Sequence, residues 1–289
     1  MPQVESRIEC HDVLDSRQFL LAVKRLADSL NYGADRSPFL GSGVDYVQSR
    51  LYQYGDPIKL IDWRVTARTR KVHIKEYEAP KRMPVYLLID TSASMTISSH
   101  HRSKYETALF IAGGLALACL ERISPVGVLG IGGQNLHVRP TMSKDQVMQW
   151  LHKLRTYRYD EPTSLGTRLA QLIPSLTHRV LVIVLSDLHD PQALPSLRRM
   201  AQQHDCAVLQ LRDPAEEGLK GVGFVRGREA ETGTPILVRR SARWLDQQEI
   251  EDQFKKRGID HILIDVDKPY VSRLRQFFKM RGILGRGAR

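Results

Sequence analysis

Asp90, Ser92 and Ser94 place one carboxylate and two hydroxyls at alternate positions of PVYLLIDTSASM, residues 84–95. Side chains two apart in an extended or gently looped backbone leave on the same side, so these oxygens can converge on one point. The set is hard and all-oxygen, which suits Mg2+ or Mn2+ rather than zinc or copper, ions that favour imidazole or thiolate. Alone, D-x-S-x-S also describes a capped strand-to-helix turn, since Asp and Ser are the usual caps. Two later stretches bear on that choice. EPTSLGTRLAQLI sets Thr163 ahead of a helical pattern, with Thr167 as a rival hydroxyl. RVLVIVLSDLHD runs an apolar strand, Val180 to Leu185, into Ser186 and Asp187. A further hydroxyl and a second carboxylate thus stand at corresponding topological places.

The elements that position these groups follow from periodicity. Val85 to Ile89 is apolar throughout, as a strand buried on both faces of a parallel sheet must be. Asp90 then lies at its carboxyl end, the edge where ligands bind in open α/β sheets. A helical stripe of Tyr105, Leu109, Ala112, Ala116, Cys119, Leu120 and Ile123 follows, with Gly113-Gly114 permitting close packing on the sheet. Val126 to Ile131 and Leu136 to Val138, separated by Gly132-Gly133, read as a hairpin. Helices near 145–155, after Thr163 and over about 191–203 alternate with strands to Asp187 and over Ala207 to Leu211. GLKGVGFVRGREAETGTPILVRR reads as a hairpin excursion, before a helix near 245–257 and a strand from His261 to Val266. Such alternation gives a doubly wound sheet with helices on both faces. Upstream, Ser16 opens an amphipathic helix with a stripe of Phe19, Val23, Leu26 and Leu30 and Gly33 as its C-cap. A loop over 34–44 leads into strand-like pieces about the turn signal Gly55-Asp56-Pro57.

These motifs resemble the von Willebrand factor A domain with its metal-ion-dependent adhesion site. Asp90, Ser92 and Ser94 match the first motif, Thr163 the threonine, Gly166 a later glycine and Asp187 the second aspartate; Glu161-Pro162 stands where two glycines are common. RLYQYGDPIKLIDWRVTAR resembles the hallmark of the bacterial domain of unknown function 58 family in Arg50, Tyr52, Gly55, Asp56, Ile61, Asp62, Trp63, Ala67 and Arg68, with Lys59 where that family often has Arg. REAETG resembles its D-x-E-T-G element. The resemblance spans residues 41 to about 265. It implies a mostly parallel sheet with one antiparallel edge strand over 84–289, preceded by a helix and β-hairpin extension over 1–83. It also implies Mg2+ (or Mn2+) held by Asp90, Ser92, Ser94, Thr163 and Asp187, and work beside a MoxR-type AAA+ ATPase in the maturation of other proteins.

Two aspartates roughly neutralise a divalent ion and hydroxyls add no charge, so the metal stays electrophilic enough to accept a carboxylate from outside. The expected function is therefore non-enzymatic: metal-dependent binding of an acidic residue on a partner protein. A metal-dependent hydrolase is the enzyme alternative, but aspartyl phosphoryl transfer uses D-x-D and the second acid's place is Ser92. No G-x-x-x-x-G-K-[ST] loop occurs. His100, His101 and His189 belong to no motif and read as surface histidines.

The chain has 289 residues, 42% hydrophobic and 26% charged, an ordinary globular balance with room for one large or two small domains. Of its net +11, residues 268–289 carry +7, with seven Lys or Arg and no acid. Tyr270, Val271, Leu274, Phe277 and Phe278 fall there at helical spacing, so Arg273, Arg275 and Lys279 form either a solvated outer face or a docking surface for an acidic partner. Nucleic acid is disfavoured, since no aromatic-and-basic stacking module accompanies the charge. Asp62, Arg64 and Arg68 beside Trp63 read either as contacts fastening the hairpin to the main domain or as a partner-recognition surface. Cys10, Cys119 and Cys206 are far apart and form no C-x-x-C pair, against a disulfide framework or thiolate site. No apolar run approaches the ~20 residues of a membrane span, and MPQVESRIECHDVLDSRQF has acids where a secretory signal is apolar, so a cytoplasmic location is expected.

Overall fold

The computed structural model describes residues 16–31, 45–78, 83–121, 124–131, 137–156, 164–217, 224–228, 235–239 and 247–280. At its centre β3 (Val85–Ile89) lies between β4 (Val126–Gly130) and β6 (Leu181–Ser186), parallel to both. The sheet extends through β7 (Asp205–Arg212) to β10 (Asp260–Asp265) on one side and β5 (His137–Thr141) on the other, in the order β10-β7-β6-β3-β4-β5. Only β5 runs antiparallel, as the hairpin reading required. β3, β4 and β6 are buried along their whole length, which is why their sequences are apolar without alternation.

Alternate residues of β3 feed two cores. Val85, Leu87 and Ile89 face α3 (Lys104–Glu121) and α4 (Lys144–Arg155), while Tyr86 and Leu88 face α5 (Leu165–Leu172), α6 (Ala193–Gln203) and α7 (Gln247–Lys256). α1 (Ser16–Asn31) lies over α3 and buries Phe19, Val23, Leu26 and Leu30 there. The glycine pair of α3 serves this contact and not the sheet. A Cβ on Gly113 would stand 2.9 Å from Val23 Cγ1, and one on Gly114 would stand 2.6 Å from Leu26 Cδ2. α8 (Val271–Met280) buries Leu274 and Phe278 in the same core. Arg275 donates to the Ser29 carbonyl at 2.7 Å, tying α8 to α1.

The extension departs from the simple hairpin expected. β1 (Asp45–Leu51) and β2 (His73–Glu78) pair antiparallel, but the turn at Gly55-Asp56-Pro57 leads into a short helix, α2 (Trp63–Thr69), before the chain returns. Arg50 grips Asp56 with two hydrogen bonds, of 2.7 and 2.9 Å, which closes the turn whose Gly55 has φ 104. Asp62 caps α2 by accepting from the Arg64 and Val65 N–H groups, and its other oxygen accepts from Ser49. Phe224–Arg228 (β8) and Pro235–Arg239 (β9) form the expected second hairpin. Cys119 and Cys206 are buried; Gly33, Cys10 and the REAETG residues after Arg228 lie outside the described residues. Among the described residues, no helix is long and apolar enough to cross a membrane.

Candidate metal centre

Strand register builds the site. Ile89 stands opposite Leu185, so the next residues, Asp90 and Ser186, emerge side by side at the sheet's carboxyl edge. Chain order reverses between these two strands, because β4 and β5 lie to one side of β3 and β6, β7 and β10 to the other. Such a switch point opens the crevice where α/β sheets take ligands. The Asp90 N–H continues the ladder to the Leu185 carbonyl at 2.9 Å, and Ser186 Oγ donates to Asp90 Oδ2 at 2.5 Å. Asp90 Oδ1 accepts from the Ser92 N–H at 3.0 Å, a local turn that folds the chain back over the carboxylate. Ser92 is extended (φ −69, ψ 157) and leads into a 3-10 turn, Ala93–Thr96, which brings the Ser92 and Ser94 hydroxyls to 3.0 Å. Asp90 and Ser92 are fully buried, and Ser94 opens toward solvent.

Asp187 follows Ser186 and is 1% exposed. Its neighbour Leu188 adopts a left-handed φ of 62, which ends the strand sharply. Asp187 is held by two basic side chains that the sequence did not reveal. Lys104 Nζ lies 2.8 Å from Asp187 Oδ2 and also contacts Glu216, and His189 Nδ1 lies 3.1 Å from the same oxygen. His189 is therefore a half-buried partner of Asp187, not the surface histidine expected; His100 and His101 are exposed. Lys104 heads a helix that is apolar on nearly every face. A lysine in that position must find a buried acid, and that was the available signal.

The two carboxylates consequently diverge. Burial pushes Asp90 up to about 6, and the charge of Asp187 pushes the same way against the Ser186 and Ser92 hydrogen bonds. Burial also pushes Asp187 up, but the His189 hydrogen bond and the Lys104 ammonium outweigh it and hold it well below the carboxylate range. Lys104 is pulled down by burial and more strongly raised by Asp187 and Glu216, so it stays charged. His189 shows the same balance, burial against Asp187, and is raised. Among the described residues, no cation contacts Asp90. A buried acid without a counter-charge, beside two converging hydroxyls and a second carboxylate, fits a hard divalent ion such as Mg2+.

Thr163 lies outside the described residues. Its neighbour Ser164 donates to the Ile131 carbonyl at 2.8 Å, and the Gly166 N–H donates to Asp190 Oδ2 at 2.7 Å. A Cβ on Gly166 would stand 2.5 Å from Gln192 Cβ, so only glycine lets α5 approach the turn beyond Asp187. The proposed docking residues separate. Arg64 and Arg68 are exposed beside a Trp63 that is 69% exposed, and Asp62 serves the α2 cap instead of pairing with them. The expected fastening contacts are thus absent among the described side chains. Arg273 is exposed, Arg275 is spent on Ser29, and the Lys279 side chain lies outside the described residues.

Comparison with known proteins gives a family model described as "Protein of unknown function DUF58", which matches residues 48–261. Among curated relatives, uncharacterized proteins of Mycobacterium tuberculosis and Mycobacterium bovis are 27% identical over 222 residues, which is 75% of this chain and 70% of each of theirs. Among solved structures, an uncharacterized membrane spanning protein from Vibrio fischeri is 14% identical, with a TM-score of 0.21, over 68% of this chain and 98% of that one.

Proposed function

We propose that this chain, which belongs to the family described as protein of unknown function DUF58, is a metal-dependent protein-interaction module of von Willebrand factor A type. In this reading Asp90, Ser92, Ser94 and Asp187, with Thr163, hold Mg2+ or Mn2+, and an acidic residue of a partner protein completes the coordination. The observation that carries it is Asp90: fully buried, without a contacting cation among the described residues, and next to two hydroxyls 3.0 Å apart at the sheet's switch point. The bound ion would supply a Lewis-acidic centre for an incoming carboxylate. The chain's own residues orient the donors: Ser186 and the Ser92 N–H fix the Asp90 carboxylate, and Lys104 and His189 fix Asp187. Lys104, a candidate acid or base beside the centre, is buried between Asp187 and Glu216, and Ser92 stands where a second acid would handle protons, which favours binding over turnover.

A MoxR-type AAA+ ATPase is the proposed partner, in maturation or assembly of other proteins, and a cytoplasmic location goes with it. This rests on the pairing of the GD...IDW...AR hallmark with D-x-S-x-S. Exposed Arg64, Arg68 and Arg273 are proposed to steer that encounter, since peripheral charge acts mainly on association rate. Calorimetric titration with MgCl2 is the direct test of the centre. Wild type should bind, and a folded Ser92→Ala, Ser94→Ala double variant should not; unchanged affinity in that variant would remove the assignment.

A further inference from the structure

Lys104 is 1% exposed, and its ammonium contacts two carboxylates, Asp187 Oδ2 at 2.8 Å and Glu216. Asp187, His189 and Glu216 offer ligand atoms that all lie within 4.8 Å of one another, a grouping able to hold a metal ion. The lysine ammonium already contacts two of its three members. One carboxylate of the centre therefore carries a built-in cation, while Asp90 has none among the described residues. We propose that Lys104 is the resident cation of the Asp187 side, a tethered ammonium that confines a divalent ion to the Asp90–Ser92–Ser94 side and sets its affinity by sharing the charge of Asp187.

The inference rests on the metal-centre reading and adds what tunes it. An ammonium fixed beside a ligand carboxylate repels a divalent ion across low-dielectric protein, where salt screens little. Lys104 is a positioning residue, since it acts through Asp187. Glu216 moderates it by drawing the ammonium toward the 3-10 turn Pro214–Glu217. Asp213, just before that turn, accepts from the Ser99 N–H at 2.8 Å and from Ser99 Oγ at 2.5 Å. The rim loop that follows the hydroxyl turn is thereby joined to the segment that carries Glu216.

The test is calorimetric titration of the full chain with MgCl2 at neutral pH, each variant checked for folding by circular dichroism. Lys104→Met should bind about tenfold more tightly or better, because one buried positive charge has gone. Lys104→Arg should restore the wild-type affinity, which packing alone would not require. Glu216→Gln should weaken binding about threefold or more, because the ammonium then rests wholly on Asp187. A folded Lys104→Met with equal or weaker affinity overturns the proposal and leaves the metal centre standing, provided Asp90→Ala abolishes binding. Absence of Mg2+ binding in wild type and in Lys104→Met alike overturns both. If Lys104→Met does not fold, Glu216→Gln decides: weaker binding supports the proposal, and unchanged or tighter binding refutes it.

Discussion

Asp90→Asn should stabilise the metal-free protein at neutral pH, although it removes a proposed metal ligand. Asp90 is fully buried and its ionisation is pushed from an ordinary 3.8 to about 6 by burial and by the charge of Asp187. The folded state thus holds this proton more tightly than the unfolded state. Stability falls as pH rises from about 3.8 to about 6 and is level above that. A gap of about two pH units at about 1.4 kcal/mol each amounts to ~3 kcal/mol at neutral pH. The asparagine keeps an oxygen for the Ser92 N–H. Its amide would face Ser186 Oγ, which can turn from donor to acceptor. Allowing for imperfect geometry there, a net gain of ~1–3 kcal/mol remains. His189, also raised, gives stability that is full below its ordinary 6.5 and lost as pH passes its folded value, so it too makes wild type weaker at high pH. The asparagine variant separates the two contributions. Urea unfolding in EDTA across the range from acid to neutral is the assay, and the variant should gain on wild type as pH rises from about 3.8 to about 6 and hold that gain above it. Equal or lower stability of Asp90→Asn at neutral pH in EDTA would refute the reasoning that Asp90 is an uncompensated buried charge.

Other outcomes follow from the same contacts. Mg2+ affinity should be level above pH about 6 and fall about tenfold per pH unit below it, as the proton on Asp90 competes; titrations showing no such fall would count against Asp90 as a ligand. Arg275→Ala should cost about 1–2 kcal/mol in urea unfolding by losing its bonds to Ser29, while exposed Arg273→Ala stays within about 0.5 kcal/mol. Equal effects would mean that Arg275 does not tie α8 to α1. Gly114→Ala should cost about 1–3 kcal/mol by forcing Leu26 aside, and a neutral result would show that α1 lies less closely on α3 than 2.6 Å implies.

The positions of Asp90 and Asp187 were legible because strand ends are local features. An unbroken apolar run fixes where β3 stops, so Asp90 had to stand at the edge, and the same logic placed Asp187 after β6. What periodicity cannot supply is the partner across the fold. Lys104 and Asp187 are 83 positions apart, and only the folded sheet makes them neighbours. Likewise, Gly113-Gly114 announced a close approach but not that α1, rather than the sheet, makes it. Arg275 sits on the basic side of a helical wheel, and nothing local shows that Ser29 lies opposite. α2 was missed because it is only Trp63–Thr69, a turn or two with its first aromatic pointing outward, so no apolar stripe marks it. Its signal was Asp62, an N-cap residue read instead as an ion-pair partner.

The central claim, recognition of a partner carboxylate through the metal, is tested most directly by co-expressing this chain with a MoxR-type AAA+ ATPase from the same genome and purifying the pair in Mg2+ and again in EDTA. The complex should form in Mg2+, dissociate in EDTA, and fail to form with Asp187→Ala even when that variant is folded. An equally stable complex in EDTA, or none in either buffer, would contradict metal-bridged recognition.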